Sequence, residues 1–199
     1  VAATDEQGKI EKAYESVPLS TVSRREEIEK NLPEAPDFTG DKGIKLEDVA
    51  NNRATLAGFT AQLEDVELEA LCRGDYVMNS KLGTPGNAAV YGGILKSLRK
   101  KGVPPVSATD GPSGIRLHCY ASLLPIGTLL ASTWNQQLVR ELYALEGAEM
   151  ARKGSDVLLA PGMNIHRDPL CGRNFEYFSE DPLLAGTMGA AVVRGIQSQ

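Results

Sequence analysis

Val103-Pro104-Pro105-Val106-Ser107-Ala108-Thr109-Asp110-Gly111-Pro112 decides the fold. Val103 to Thr109 is a short β-compatible run, and Asp110-Gly111-Pro112 is turn chemistry, so a strand here runs into a sharp turn. Gly127 to Ala131 is a second small apolar run and a second strand candidate. Ser132 is placed to cap a long helix, with Leu138, Leu142 and Leu145 on one stripe and Gly154 closing it. Val157-Leu158-Leu159-Ala160 is a third buried-strand candidate, followed by Pro161-Gly162. Asp181-Pro182 then opens another helix, a cap followed by proline at the first helical position, running to about Gln197. Strands alternating with helices predict an α/β fold with parallel strands, in which the loops after the strands' C-terminal ends build the site.

Upstream the texture is different. Residues 1–45 read as a connector, with a short charged helix at Ser23–Lys30 followed by an irregular segment through Pro33, Pro36, Gly40 and Gly43. From Leu46 to Cys72 the pattern is helical, with Phe59, Leu63 and Val66 on one face and Asp65 capping a second short helix that ends near Gly74. Residues 79–93, rich in Gly, Asn and Ala, read as a loop.

The chain has 199 residues, enough for one sizeable core, and 42% of them are hydrophobic. Its net charge of −5, with acids spread along the chain, argues against a nucleic-acid partner, which would require clustered Lys and Arg. No apolar run approaches the length needed to cross a bilayer, so no membrane partner is expected. The start lacks an initiator Met and the basic-then-apolar layout of a secretion signal, and reads as an internal cut. Cys72, Cys119 and Cys171 are odd in number and far apart, so reduced thiols in a cytoplasmic protein are expected rather than a disulfide framework. With two histidines, no metal site and no cofactor are expected.

Two stretches carry chemistry, and both follow strand candidates. Asp110-Gly111-Pro112-Ser113-Gly114-Ile115-Arg116 brings a carboxylate and a guanidinium to one rim around a Gly/Pro turn. An acceptor beside a forked donor suits adjacent sugar hydroxyls, which both donate and accept. The same pair also serves a turn braced by an ion pair, and the pattern alone leaves both readings open. A serine-esterase elbow is disfavoured because the residue two after Ser113 is Ile115, not glycine.

Pro161 to Pro182 is a long loop with Arg167, Arg173 and three aromatics; a loop of this length in a compact domain is usually functional or disordered, and the aromatics argue against disorder. His166 and Asp168 lack a third ligand at sensible spacing, so His166 is read as a structural, hydrogen-bonding histidine. Asp181 is read as a helix cap, Glu180 as its first-turn neighbour, and Glu176 as a brace for an arginine. Trp134, at the start of an amphipathic helix, is read as core rather than as a sugar-stacking ring.

Together the runs D-G-P-S-G-I-R, L-P-I-G-T-L-L-A-S-T-W-N and A-P-G-M-N-I-H-R-D-P-L-C-G-R-N-F-E-Y-F-S-E-D-P closely resemble the first domain of glycoside hydrolase family 3, over about residues 46–199. The resemblance implies a (β/α)8 TIM-type barrel of which this chain supplies the first part. It also implies a retaining mechanism through a covalent glycosyl-enzyme. Its sugar-holding aspartate falls on Asp110, its first arginine on Arg116, and the arginine of its G-R-N-F-E segment on Arg173. Asp110 favours a β-glucosidase over the xylosidase relatives, which tend to carry Glu there.

The family's Lys-His pair is expected soon after residue 199, the nucleophilic aspartate further on, and the acid/base on a separate domain. No catalytic carboxylate is therefore expected in this chain. The connector resembles that of rearranged members, whose second domain precedes the barrel. The expected partners are a β-glucoside or β-linked oligosaccharide and the remainder of the same enzyme, namely the barrel continuation and the second domain. The rival reading is a non-catalytic sugar-binding or scaffold protein on the same fold, distinguished by whether the later Lys-His and aspartate are present.

Overall fold

The structure is a computed structural model that describes residues 2–4, 6–12, 16, 22–34 and 36–199. The other connector positions (1, 5, 13–15, 17–21 and 35) lie outside the described residues. The chain divides into two compact units, residues 1–36 and 37–199.

In the first unit, β1 (Ala2–Thr4) and β2 (Ile10–Lys12) pair antiparallel, Ala3 opposite Glu11. The charged run forms α1 (Arg24–Lys30). The Ser23 hydroxyl accepts the Glu26 N–H, and Arg25 pairs with Glu29 one turn on, so this is a solvated helix held by its own surface charges.

The second unit begins with three short helices, α2 (Leu46–Ala50), α3 (Leu56–Ala61) and α4 (Asp65–Arg73). Phe59, Leu63 and Ala70 are buried with Leu98 and Val103 in one apolar cluster. Val66 is 57% exposed, contrary to the single-face expectation. The turn at Gln62–Glu64 ends α3 and restarts the helical phase, so spacing no longer carries across it. The cap of α4 is Glu64 rather than Asp65, and the Glu64 N–H donates to the Glu67 carboxylate at 3.1 Å.

The sequence expectation of a loop over residues 79–93 misses β3 (Ala89–Gly92). Its composition hides it: Gly92 (φ +78°) and Gly93 are there for close approach, since a Cβ on Gly93 would stand 2.1 Å from the Val103 carbonyl. After α5 (Lys96–Lys100) comes β4 (Pro105–Asp110), the expected strand.

Gly127 to Ala131, expected as a strand, is instead part of α6 (Gly127–Ser132). Its Leu130 and Ala131 are buried and its Leu129 is exposed, so the run has one buried face at helical spacing. The long helix α7 (Gln136–Lys153) is capped by Asn135, whose side chain accepts the Leu138 N–H at 3.0 Å, and not by Ser132. Gly154 ends it in the left-handed conformation, as expected. Parallel strand β5 (Val157–Leu159) follows, and after a long loop α8 (Pro182–Ile196) closes the unit, capped by Asp181 as expected.

The sheet is mixed, in the order β3-β4-β5. β4 and β5 are parallel, with Asp110 opposite Leu159, whereas β3 runs antiparallel to β4. The expectation of an all-parallel arrangement therefore holds for one pair only.

The stripe buried on α7 is not the leucine stripe. Leu138 and Leu145 are exposed, while Val139, Tyr143, Glu146, Gly147 and Met150 are buried. Glycines decide this: a Cβ on Gly147 would lie 2.6 Å from the Ile196 carbonyl, and one on Gly195 2.4 Å from the Arg140 carbonyl. The backbones of α7 and α8 approach too closely for leucine, and Ala191 and Val192 fill what remains of this second core.

Candidate functional site

Parallel pairing of β4 and β5 puts their C-terminal ends on one sheet edge, from which the 111–116 turn and the 160–181 loop both leave. Asp110, Arg116 and Arg173 come together there, in the wall of one cleft of about 590 Å³ with Phe175 and Glu176. Asp110 is the last residue of β4. Arg116 folds back over the turn: its N–H donates to the Asp110 carbonyl at 2.8 Å, and its guanidinium lies 3.6 Å from the Asp110 carboxylate. Both side chains remain substantially exposed, so the pair is loose and its hydrogen-bonding capacity faces the cleft.

Gly114 allows that fold-back. Its φ of +108° excludes most side chains, and a Cβ there would stand 2.1 Å from the Ser122 carbonyl. The Leu124 N–H to the Ser113 carbonyl, at 3.0 Å, ties the turn to the segment that follows it.

Arg173 stands at the start of a short 3-10 turn, Asn174–Glu176. Its guanidinium is 68% exposed and donates through Nε to the Glu176 carboxylate, which is 7% exposed. Glu176 is thus the expected brace. That hydrogen bond, then the charge behind it, holds the Arg173 guanidinium more firmly protonated, and the fields of Tyr177 and Asp110 add to it. The loop around it is ordered by its aromatics: Tyr177 and Phe178 are buried, and the Thr128 hydroxyl donates to the Tyr177 carbonyl at 2.8 Å.

Asp168 shapes the same loop. Its carboxylate accepts the Leu170 N–H at 2.9 Å, and its carbonyl accepts the Asn174 amide at 2.8 Å. The His166 backbone N–H donates to the Ser179 carbonyl, but its Nε2 is buried without a partner, which departs from the expected hydrogen-bonding side chain. Trp134 is not core; it is 71% exposed, with φ +53°. It follows the Thr133 cap of α6, where the Trp134 N–H is taken by the Ala131 carbonyl, and it is not a member of the α7–α8 core cluster.

A set of supports was missed from sequence. The Tyr143 hydroxyl donates to the Pro112 carbonyl at 2.8 Å. The Glu149 carboxylate accepts the Ser122 N–H at 3.2 Å and pairs with Lys153 at 2.6 Å, and the Lys153 ammonium also donates to the Tyr120 carbonyl. The Lys153 hydrogen bond, working against burial and helped by Ser122, keeps the Glu149 carboxyl below its ordinary range. Glu146 lies between them, fully enclosed. One face of α7 therefore carries the cleft's floor. The sequence signal for this face is polar residues three and four apart on a long helix, which the leucines of the exposed face obscure.

Residues 85–199 match the sequence profile of the "Glycosyl hydrolase family 3 N terminal domain". The chain is 50% identical over 188 residues to the β-glucosidase of Ruminococcus albus, covering 94% of this chain and 20% of that protein. It is 42% identical over 158 residues to β-glucosidase A of Butyrivibrio fibrisolvens, covering 77% and 18%. Among solved structures, a β-glucosidase from Paenibacillus barengoltzii superposes with a TM-score of 0.87 at 50% identity, over 98% of this chain and 21% of that one. β-Glucosidase 3B from Thermotoga neapolitana, in complex with glucose, gives a TM-score of 0.58 at 36% identity, covering 71% and 21%. The chain spans about a fifth of the length of these relatives.

Proposed function

This chain belongs to glycosyl hydrolase family 3, and from that premise we propose that it serves an enzyme that hydrolyses terminal non-reducing β-D-glucosyl residues with retention. In this reading it forms the first part of a (β/α)8-type barrel, and Asp110, Arg116 and Arg173 hold the sugar in the −1 subsite. The carrying observation is their convergence: three polar side chains from two loops, at the C-terminal edge of a parallel strand pair, face one cleft. Hydroxyls of a pyranose both donate and accept, and Asp110 supplies the acceptor where the arginines supply donors. Charge-assisted bonds to the hydroxyls tighten as the ring flattens toward an oxocarbenium-like transition state, so they accelerate the reaction as well as bind.

The nucleophile and the acid/base belong, on this reading, to the remainder of the enzyme. Tyr120 and Leu123 are each about nine-tenths exposed or more in the cleft wall, which supports their being covered by the barrel continuation and the second domain. The test is hydrolysis of an aryl β-D-glucoside by the full-length enzyme, with the first-formed anomer followed by NMR. Release of β-glucose first is expected. Release of α-glucose first, or no turnover of β-glucosides, would overturn the proposal.

A further inference from the structure

Among the described residues, the side-chain atoms buried without a hydrogen-bond partner are both carboxylate oxygens of Glu146 and Nε2 of His166. Glu146 is 2% exposed and projects from α7 between Tyr143, which holds Pro112, and Glu149, which holds Ser122. The Gly114 N–H is the loop group that acts on it, favouring its charged form. An unpaired acid is thus enclosed directly under the turn that carries Asp110 and Arg116.

We propose that Glu146 is a positioning residue for this turn: uncharged, it lets the turn close over α7, and ionised, it lifts the turn and moves Asp110 and Arg116 out of register with Arg173. The consequence for affinity rests on the reading of the cleft as a sugar site.

Among the described residues, the surroundings leave a Glu146 charge without a counter-ion. On α7, Glu149 is a second carboxylate alongside, and the ammonium of Lys153 is already engaged by Glu149 and by the Tyr120 carbonyl. From α8, the residues buried in this core are apolar (Met188, Ala191 and Val192), and its Arg194 is exposed. From the loop, Arg116 is turned toward Asp110 at the cleft, and His118 is exposed.

Burial, then the Glu149 charge, push the Glu146 carboxyl up to about 7, with the Gly114 N–H pulling the other way. Its titration therefore falls in the neutral range. A buried charge that lacks a partner draws in water or drives its lid away. Here the lid is the turn around Gly114, held to α7 by the Tyr143–Pro112 hydrogen bond and to the following segment by the Leu124–Ser113 one.

Two measurements on the full-length enzyme test this, with Glu146→Gln and Glu146→Met, the second an apolar side chain of similar length in case the amide is poorly accommodated. The first is KM for an aryl β-glucoside from about pH 6 to about pH 8; in the wild type it should rise roughly tenfold as the competent fraction falls to about one tenth, with kcat moving less. In both variants that rise should vanish. The second is deuterium uptake of residues 111–124 without substrate, corrected for intrinsic exchange. It should increase over the same pH range in the wild type and stay flat in the variants. Identical KM profiles in wild type and variants, or pH-independent uptake in the wild type, would overturn the proposal. An enzyme inactive on glucosides whose uptake still follows Glu146 would instead retain the switch and sink the sugar reading.

Discussion

The exposed guanidinium of Arg173 is anchored through Nε by Glu176, whose carboxylate lies almost wholly inside the protein. The buried acid fixes where the exposed cation points and leaves its two terminal nitrogens for a ligand. Arg173→Ala should lower kcat/KM for an aryl β-glucoside by about three orders of magnitude, the scale of losing one pre-placed donor to developing charge. Glu176→Gln keeps the arginine but loosens it, and should cost roughly ten- to a hundredfold, as for a small misplacement. Near wild-type kcat/KM in a folded Arg173→Ala enzyme would show that the cleft is not the sugar site.

Asp110, at the end of β4, has a half-exposed carboxylate that Arg116 only grazes at 3.6 Å. If it accepts from the exocyclic hydroxyl that glucose has and xylose lacks, Asp110→Asn should reduce kcat/KM far more on a glucoside than on the matched xyloside. A site built around a hydroxyl discriminates strongly against the analogue without it. Equal losses on the two substrates would refute the contact.

Gly114→Ala should damage the site more than it damages the fold. The substitution meets both an unfavourable φ, at about 1–3 kcal/mol, and a carbonyl that must move. The expected signature is a large rise in KM with a modest fall in Tm, because the turn lies outside both apolar cores. An unchanged KM would mean that the turn does not position the sugar's partners.

Far from the cleft, Lys101 donates to both oxygens of the buried Glu67 at 2.7 Å. Burial opposes ionisation of Glu67, yet Lys101, Ser97 and the Glu64 N–H together hold its carboxyl below the ordinary 4.5. Lys101→Met leaves that charge alone and should destabilise by about 3 kcal/mol at neutral pH. Because the folded value is depressed, the stabilisation is fully present above about pH 4.5 and is lost as pH falls through the folded value. Urea unfolding at several pH values reads both effects. A Lys101→Met protein as stable as the wild type at pH 7 would show that the pair contributes nothing net.

The local signals in the sequence are legible where backbone chemistry dominates. The strand into Asp110-Gly111-Pro112, the Asp181-Pro182 start, the Gly154 stop and the Glu176 brace follow from caps, turns and short-range charge, which need no knowledge of what packs opposite. Those signals fail where tertiary contact overrides pattern. β3 was hidden in a Gly/Asn/Ala stretch because its glycines serve close backbone approach to residues 103–105. The α7 face was misassigned because Gly147 and the buried Glu146 and Glu149 carry none of the apolar signal by which a core face is recognised. Asp110 and Arg116 stand out in the turn motif itself and Arg173 through the family resemblance, and their convergence depends on the parallel register of β4 and β5, which spacing alone does not encode.

Helix α7 is at once a wall of the α7–α8 core and the keel on which the Pro112–Ser122 loop rests, whereas among the described residues the cluster around Phe59 and Leu98 shares no member with the cleft wall. Fitness for heat and fitness for substrate are therefore heritable together in one half of this unit and separable in the other. Across substitutions at Val139, Ala191 and Val192, Tm and KM should track each other, while substitutions at Phe59, Leu98 and Val103 should move Tm alone. Lineages under thermal selection could drift freely in the Phe59 half, but each adjustment between α7 and α8 would retune the grip on the ligand. A KM indifferent to α7–α8 repacking would dissolve that linkage.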